Sequence, residues 1–131
     1  ASISMPMGAM TLTINHAQDN DSTTSGSETG GNIAYALGGG TLKVGYLDDA
    51  TTGAAATEMS AAYSMSLDAD TSLAIGYAST DEGTASTQVT EVAISRAMGG
   101  GVSLFLDYSS IAGSTGSGNN SAVAFGTNIA F

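Results

Sequence analysis

Along most of the chain, apolar residues return at every second position. Met10, Leu12 and Ile14 alternate with Thr11, Thr13 and Asn15; Ile33, Tyr35 and Leu37 with Ala34 and Ala36; Leu42, Val44 and Tyr46 with Lys43 and Gly45. Met59, Ala61, Tyr63, Met65 and Leu67 stand against Ser60, Ala62, Ser64 and Ser66, and Leu73, Ile75 and Tyr77 against Ala74 and Gly76. Val92 and Ile94 oppose Glu91, Ala93 and Ser95, while Val102, Leu104, Leu106 and Tyr108 oppose Ser103, Phe105 and Asp107. The last segment sets Val123, Phe125, Thr127, Ile129 and Phe131 against Ala124, Gly126, Asn128 and Ala130. A period of two marks strands with two unlike faces; a helix would need apolar residues to recur at three and four. The pattern predicts eight strands.

The segments are joined in two ways. Glycine and aspartate make short turns at 38–40, 68–70 and 98–101, where such residues form tight hairpins. Longer polar stretches occupy 19–31, 48–56, 81–87 and 113–120. Short and long connections alternate, so the sequence predicts an antiparallel up-and-down meander with short turns at one end and long loops at the other.

Composition decides which face of this sheet meets what. Charged residues are 11% of the 131, against roughly 25% in an ordinary soluble domain. There are 18 Gly, no Cys and no Trp. The face opposite the apolar one carries Ala, Gly, Ser and Thr, without the lysines and glutamates of a water-facing sheet. A transmembrane β-barrel inverts the assignment: the apolar face meets lipid and the small polar face meets the lumen. Strands of about 9–11 residues cross a bilayer when tilted. The fold class expected is therefore all-β, an antiparallel up-and-down transmembrane β-barrel. With 2 Lys+Arg against 12 Asp+Glu, net charge −10, nucleic acid is not expected as a partner, because binding phosphates needs a basic surface.

The inner face then holds the candidate chemistry. Most of its positions are Ala, Gly or Ser; Lys43, Glu91, Phe105 and Asp107 are bulky. Lys43, Glu91 and Asp107 are candidate pore-lining charges, since acidic side chains around a pore favour cations. An eight-stranded barrel has an interior that side chains just fill, and this lining would leave it poorly packed, so a wider tube is favoured. Tyr46, Tyr77 and Tyr108 share the outward face near the loop ends of their strands, where an aromatic girdle belongs. Arg96 has outward parity close to a short turn, from which its head can reach lipid phosphate. His16 stands alone, and with no Cys no zinc site is expected. Residues 19–21, with Asp48 and Asp49, could hold Ca²⁺ weakly, although their spacing does not match a known calcium loop; exposed acidic loops are the plainer reading. No nucleophile, base and orienting acid come together in the sequence, and no enzyme is expected.

The low-lysine, glycine-rich strands, the pair at 93–110 and the ending AVAFGTNIAF (122–131) resemble the C-terminal part of a Gram-negative outer-membrane porin of the alphaproteobacterial type. The resemblance covers the whole chain in texture; its most specific mark is the terminal aromatic. It implies a sixteen-stranded homotrimer in the outer membrane and passive diffusion of small hydrophilic solutes. It also implies that the barrel-assembly machinery reads Phe125, Ile129 and Phe131, with Thr127 a weaker match. Such a barrel takes on the order of 300 residues. Ile3, Met5 and Met7 alternate like the end of a preceding strand, so the expectation is a single segment, 1–131, of a larger barrel. The alternative is a closed eight-stranded barrel with residues 1–9 as a tail, non-conducting and with a structural or adhesive role. A third reading is a secreted glycine-rich, acidic adhesin or a calcium-dependent β-roll.

Overall fold

The computed structural model describes residues 1–20, 25–51, 55–114 and 119–130. Within them the chain forms one nine-stranded sheet whose spatial order is the chain order. The strands are β1 (Ser2–Met7), β2 (Met10–Asn20), β3 (Ser25–Leu37), β4 (Gly40–Asp49), β5 (Ala56–Ser66), β6 (Thr71–Asp81), β7 (Ser86–Gly99), β8 (Val102–Gly113) and β9 (Asn120–Ile129). Every neighbouring pair is antiparallel. The up-and-down meander expected from the sequence is the observed topology.

Residues 2–7 are not a tail. They pair with β2 from Ser2↔Asn15 to Met7↔Met10, and β3 takes the other edge of β2. Both edges of β2 are thus used, and β1 and β9 share no contact among the described residues. A closed eight-stranded tube would need β2 against β9. Among the described residues β2 instead pairs with β1, which stands beside the eight strands read from the alternation, where the end of a preceding strand is expected.

The strands also run further than their apolar residues. Much of the 19–31 stretch, expected as a loop, is strand: β2 and β3 stay paired through His16↔Thr29, Gln18↔Ser27 and Asn20↔Ser25. Likewise β4 continues to Asp49, β6 to Asp81 and β8 to Gly113. A ladder needs only backbone N–H and C=O groups, so it persists where side chains have become polar. At the other end the turns are as tight as expected. Gly38 and Gly39, at φ 58° and 81°, supply the two positive dihedrals of a type I′ hairpin, the turn whose twist matches paired strands.

No hydrophobic or polar side chain is buried among the described residues. Phe125 is 85% exposed, and Ile3, Met59, Tyr46 and Leu106 also stand open. A single sheet cannot bury its own faces. What holds it is the ladder, in which each central strand is satisfied on both sides, and whatever medium covers the apolar face.

Candidate pore wall and lipid-facing surface

The register carries the two faces across the whole sheet. One apolar row runs Met7, Met10, Tyr35, Leu42, Tyr63, Ile75, Val92, Tyr108, Val123, each residue opposite the next. A second runs Leu37, Gly40, Met65, Leu73, Ile94, Leu106, Phe125. Such cross-strand apolar pairs stabilise each other modestly. Tyr63 also spans two strands: its hydroxyl donates to the Leu37 carbonyl at 3.0 Å while its ring lies over Gly40.

Tyr46, Tyr77 and Tyr108 lie on three different rows. Tyr46 is level in register with Ser79 of β6, through Met59, so Tyr77 sits two residues nearer the short turns. Tyr77 is level with Ser110 of β8, through Thr90, and Tyr108 again sits two residues lower. The line through the tyrosines therefore drops one residue per strand. At about 3.4 Å per residue and 4.8 Å between strands, that line is level when the strands tilt by about 35°. This is the tilt of strands in a barrel wall. At that tilt the three tyrosines would stand at one height, as the expected girdle requires.

The opposite face is built from small side chains at mid-height. The row Thr11, Ala34, Lys43, Ala62, Gly76, Glu91, Ser109, Ala122 crosses it, with Ala36, Thr41, Ser64, Ala74, Ala93, Asp107, Ala124 one row nearer the short turns. Lys43 and Glu91 thus share a row, and Asp107 is a diagonal neighbour of Glu91. One carboxylate oxygen of Asp107, Oδ1, is shielded from solvent and has no hydrogen-bond partner. Phe105, opposite Gly126, lays its ring over that glycine. Toward the long connections the same face becomes bulkier, with Leu47, Glu58, Val89 and Ile111. Sequence reasoning missed these last positions because most of them fall at strand ends or in stretches read as loops; continuing the alternation past the apolar residues would have found them.

Arg96 meets a partner within the chain. Its Nη1 lies 3.5 Å from Asp68 Oδ2 and donates to Thr71 Oγ1 at 3.0 Å. Asp68 Oδ1 also accepts the backbone N–H of Asp70 and of Thr71, each at 2.8 Å, which closes the β5–β6 turn. The Asp70 N–H is the main cause holding the Asp68 carboxyl below its ordinary range, with the Thr71 hydroxyl next and Arg96 a minor contributor. A lowered carboxylate pKa means that the turn gains stability from Asp68 above the ordinary carboxylate range, and loses it as pH falls through the lowered value. Following the Asp68 carboxyl by NMR should give a midpoint below that of a free aspartate, and Asp70→Gly, which keeps the N–H, should leave most of the shift. A midpoint at the ordinary value would contradict this account.

His16, inside β2 and opposite Thr29, has its Nδ1 2.8 Å from Thr29 Oγ1. Asp49 Oδ1 accepts the Thr51 N–H at 2.9 Å and so caps its own connection. Among the described residues no three His, Cys, Asp or Glu side chains converge as a metal site would require. Asp21, in the 19–21 run, and Phe131 lie outside the described residues. Phe125 and Ile129 are exposed on the apolar face of β9, which has a free edge among the described residues.

A single antiparallel meander, apolar on one face and small and polar on the other, has the fold of a β-barrel wall. Two solved structures share it. A loop-deletion mutant of OmpT, an outer membrane protein of Vibrio cholerae, superposes at TM-score 0.70 with 13% identity, covering 96% of this chain and 52% of that one. In-vitro folded OmpT superposes at 0.61 with 11% identity, covering 86% of this chain and 44% of that one. The chain thus spans about half the length of the structures it matches. No family model matches it, and neither does any curated protein by sequence.

Proposed function

We propose that the chain is one segment of the wall of a larger, water-filled barrel, a porin through which small hydrophilic solutes diffuse passively across the outer membrane. The observation that carries this reading is the mid-height inner face. Its rows of Ala, Gly, Ser and Thr have too little volume to fill a tube, and the sheet does not close on itself among the described residues. A mild cation preference goes with it, because Glu28, Asp49, Glu58, Glu91 and Asp107 share inner parity with only Lys43. No catalytic step is part of the reading, and no cofactor; Ca²⁺ at the acidic loops would be a weak accessory. Trimer formation, an origin among alphaproteobacterial-type porins, and recognition of Phe125, Ile129 and Phe131 by the assembly machinery rest on the resemblance already described.

Reconstitution of the native assembly in planar bilayers tests this. Stepwise ohmic conductance with a reversal potential favouring cations in a salt gradient is expected, and Glu91→Gln with Asp107→Asn should move that potential toward zero. Membranes that stay silent at high protein load would refute the channel. The rival reading, a non-conducting barrel whose loops bind a partner, draws on the paired polar extension of β2 and β3 beyond the apolar band. Silent bilayers together with partner binding would favour it.

A further inference from the structure

Lys43 and Glu91 stand on one register row, separated by Ala62 and Gly76. The floor between them is nearly bare. A Cβ built on Gly76 would meet nothing within 4 Å, and a shallow depression of about 150 Å³ runs beside it along Ser60, Ala62, Ala78 and Glu91. No acid adjoins Lys43 on this face: its neighbours across the ladder are Ala34 and Ala62, with Thr41 and Gly45 along the strand. Glu91, by contrast, has a second carboxylate within diagonal reach, Asp107, whose Oδ1 lacks a partner. The wall therefore carries a cationic pole, a bare lane and an anionic pole.

We propose that this lane is a docking track for zwitterionic solutes, with the solute's carboxylate on Lys43 Nζ and its ammonium on Glu91 and Asp107. Three ladder steps of about 5 Å set the Lys43 and Glu91 Cα atoms about 15 Å apart. When both side chains lean inward, the gap between their charged ends suits an α-amino acid that makes a charge-assisted hydrogen bond of about 2.8 Å at each end. The strand tilt lifts Glu91 above Lys43 by about 8 Å, toward the long connections. A solute entering from that side meets the anionic pole first, is held there by its ammonium, and swings its carboxylate down to Lys43. Neutral sugars have no such handle, and anions meet the carboxylates first.

This inference rests on the channel reading, and the experiment separates the two. Vesicles containing the native assembly are assayed by swelling with serine, erythritol and lactate, solutes of similar size and different charge. Serine is expected to enter faster than erythritol. Lys43→Met or Glu91→Gln should each lower the serine-to-erythritol ratio about threefold, the scale of an exposed charge contact. The erythritol rate itself reports that the variant has folded and inserted. The reciprocal swap, Lys43→Glu with Glu91→Lys and Asp107→Asn, should recover most of the ratio, because the two poles survive in reverse. Gly76→Val should lower serine entry more than erythritol entry by filling the lane. An erythritol rate that persists with an unchanged serine ratio in all single variants would overturn the track and leave the channel standing. Loss of every flux in the unmodified protein would overturn both.

Discussion

Arginine in place of Ile75 is expected to destabilise the folded barrel in lipid by about 2–4 kcal/mol, the cost of a cation at the middle of an outward-facing strand. The same arginine one residue earlier, Ala74→Arg, should cost under about 1 kcal/mol. The contrast follows from parity. Ile75 lies between Tyr63 and Val92 on the apolar face and is 44% exposed within the sheet, so in a membrane that exposure is to hydrocarbon. Ala74 lies between Ser64 and Ala93 on the face assigned to water. Urea titration of the native assembly in vesicles, followed by far-ultraviolet circular dichroism because the chain has no Trp, measures both. Equal costs at the two positions would mean that the faces are not divided between lipid and water, and the membrane assignment would fail.

Valine at Gly101 should cost about 3 kcal/mol, and alanine about 2, through two separate causes. Gly101 has φ 77°, a left-handed conformation that side chains resist and β-branched ones resist most. A Cβ there would also collide with the Ala130 carbonyl oxygen. The backbone has little room to yield, because the Gly101 carbonyl accepts the Ala130 N–H at 2.8 Å and this bond ties the β7–β8 turn to the end of β9. Gly76→Ala is the control: its φ is unstrained and its Cβ would meet open space, so the cost should stay within about 1 kcal/mol. If both glycines tolerated alanine equally well, the turn would not be the constraint described.

The sequence exposed the faces far better than the ends of the strands. Parity alone assigned Lys43, Glu91 and Asp107 to one side and Tyr46, Tyr77 and Tyr108 to the other, because a one-residue register slip would reverse every side chain at once. Apolar alternation fades above Ile14 and Tyr46, although the ladder does not, so periodicity alone ends β2, β3 and β4 short and does not reach Leu47 and Glu58. Arg96 was legible as an outward charge near a turn. Its bond to Asp68 was not, since that contact depends on the β5–β6 turn geometry, 28 residues away in sequence. The alignment of Lys43 with Glu91 likewise needed the register of three successive ladders. Periodicity shows which face a residue occupies, but not which residues stand level.

A sheet without a packed interior sets unusual terms for divergence. Where side chains interlock in a core, a change at one site usually demands an answering change at another. In this wall a leucine can become a methionine, a valine or a phenylalanine on one face, and a serine can become an alanine or a threonine on the other, with only modest demands on its cross-strand neighbours. Lineages are then free to rewrite nearly every letter while each face keeps its character. The slow positions should be the hairpin glycines, whose dihedral angles no other residue adopts as readily.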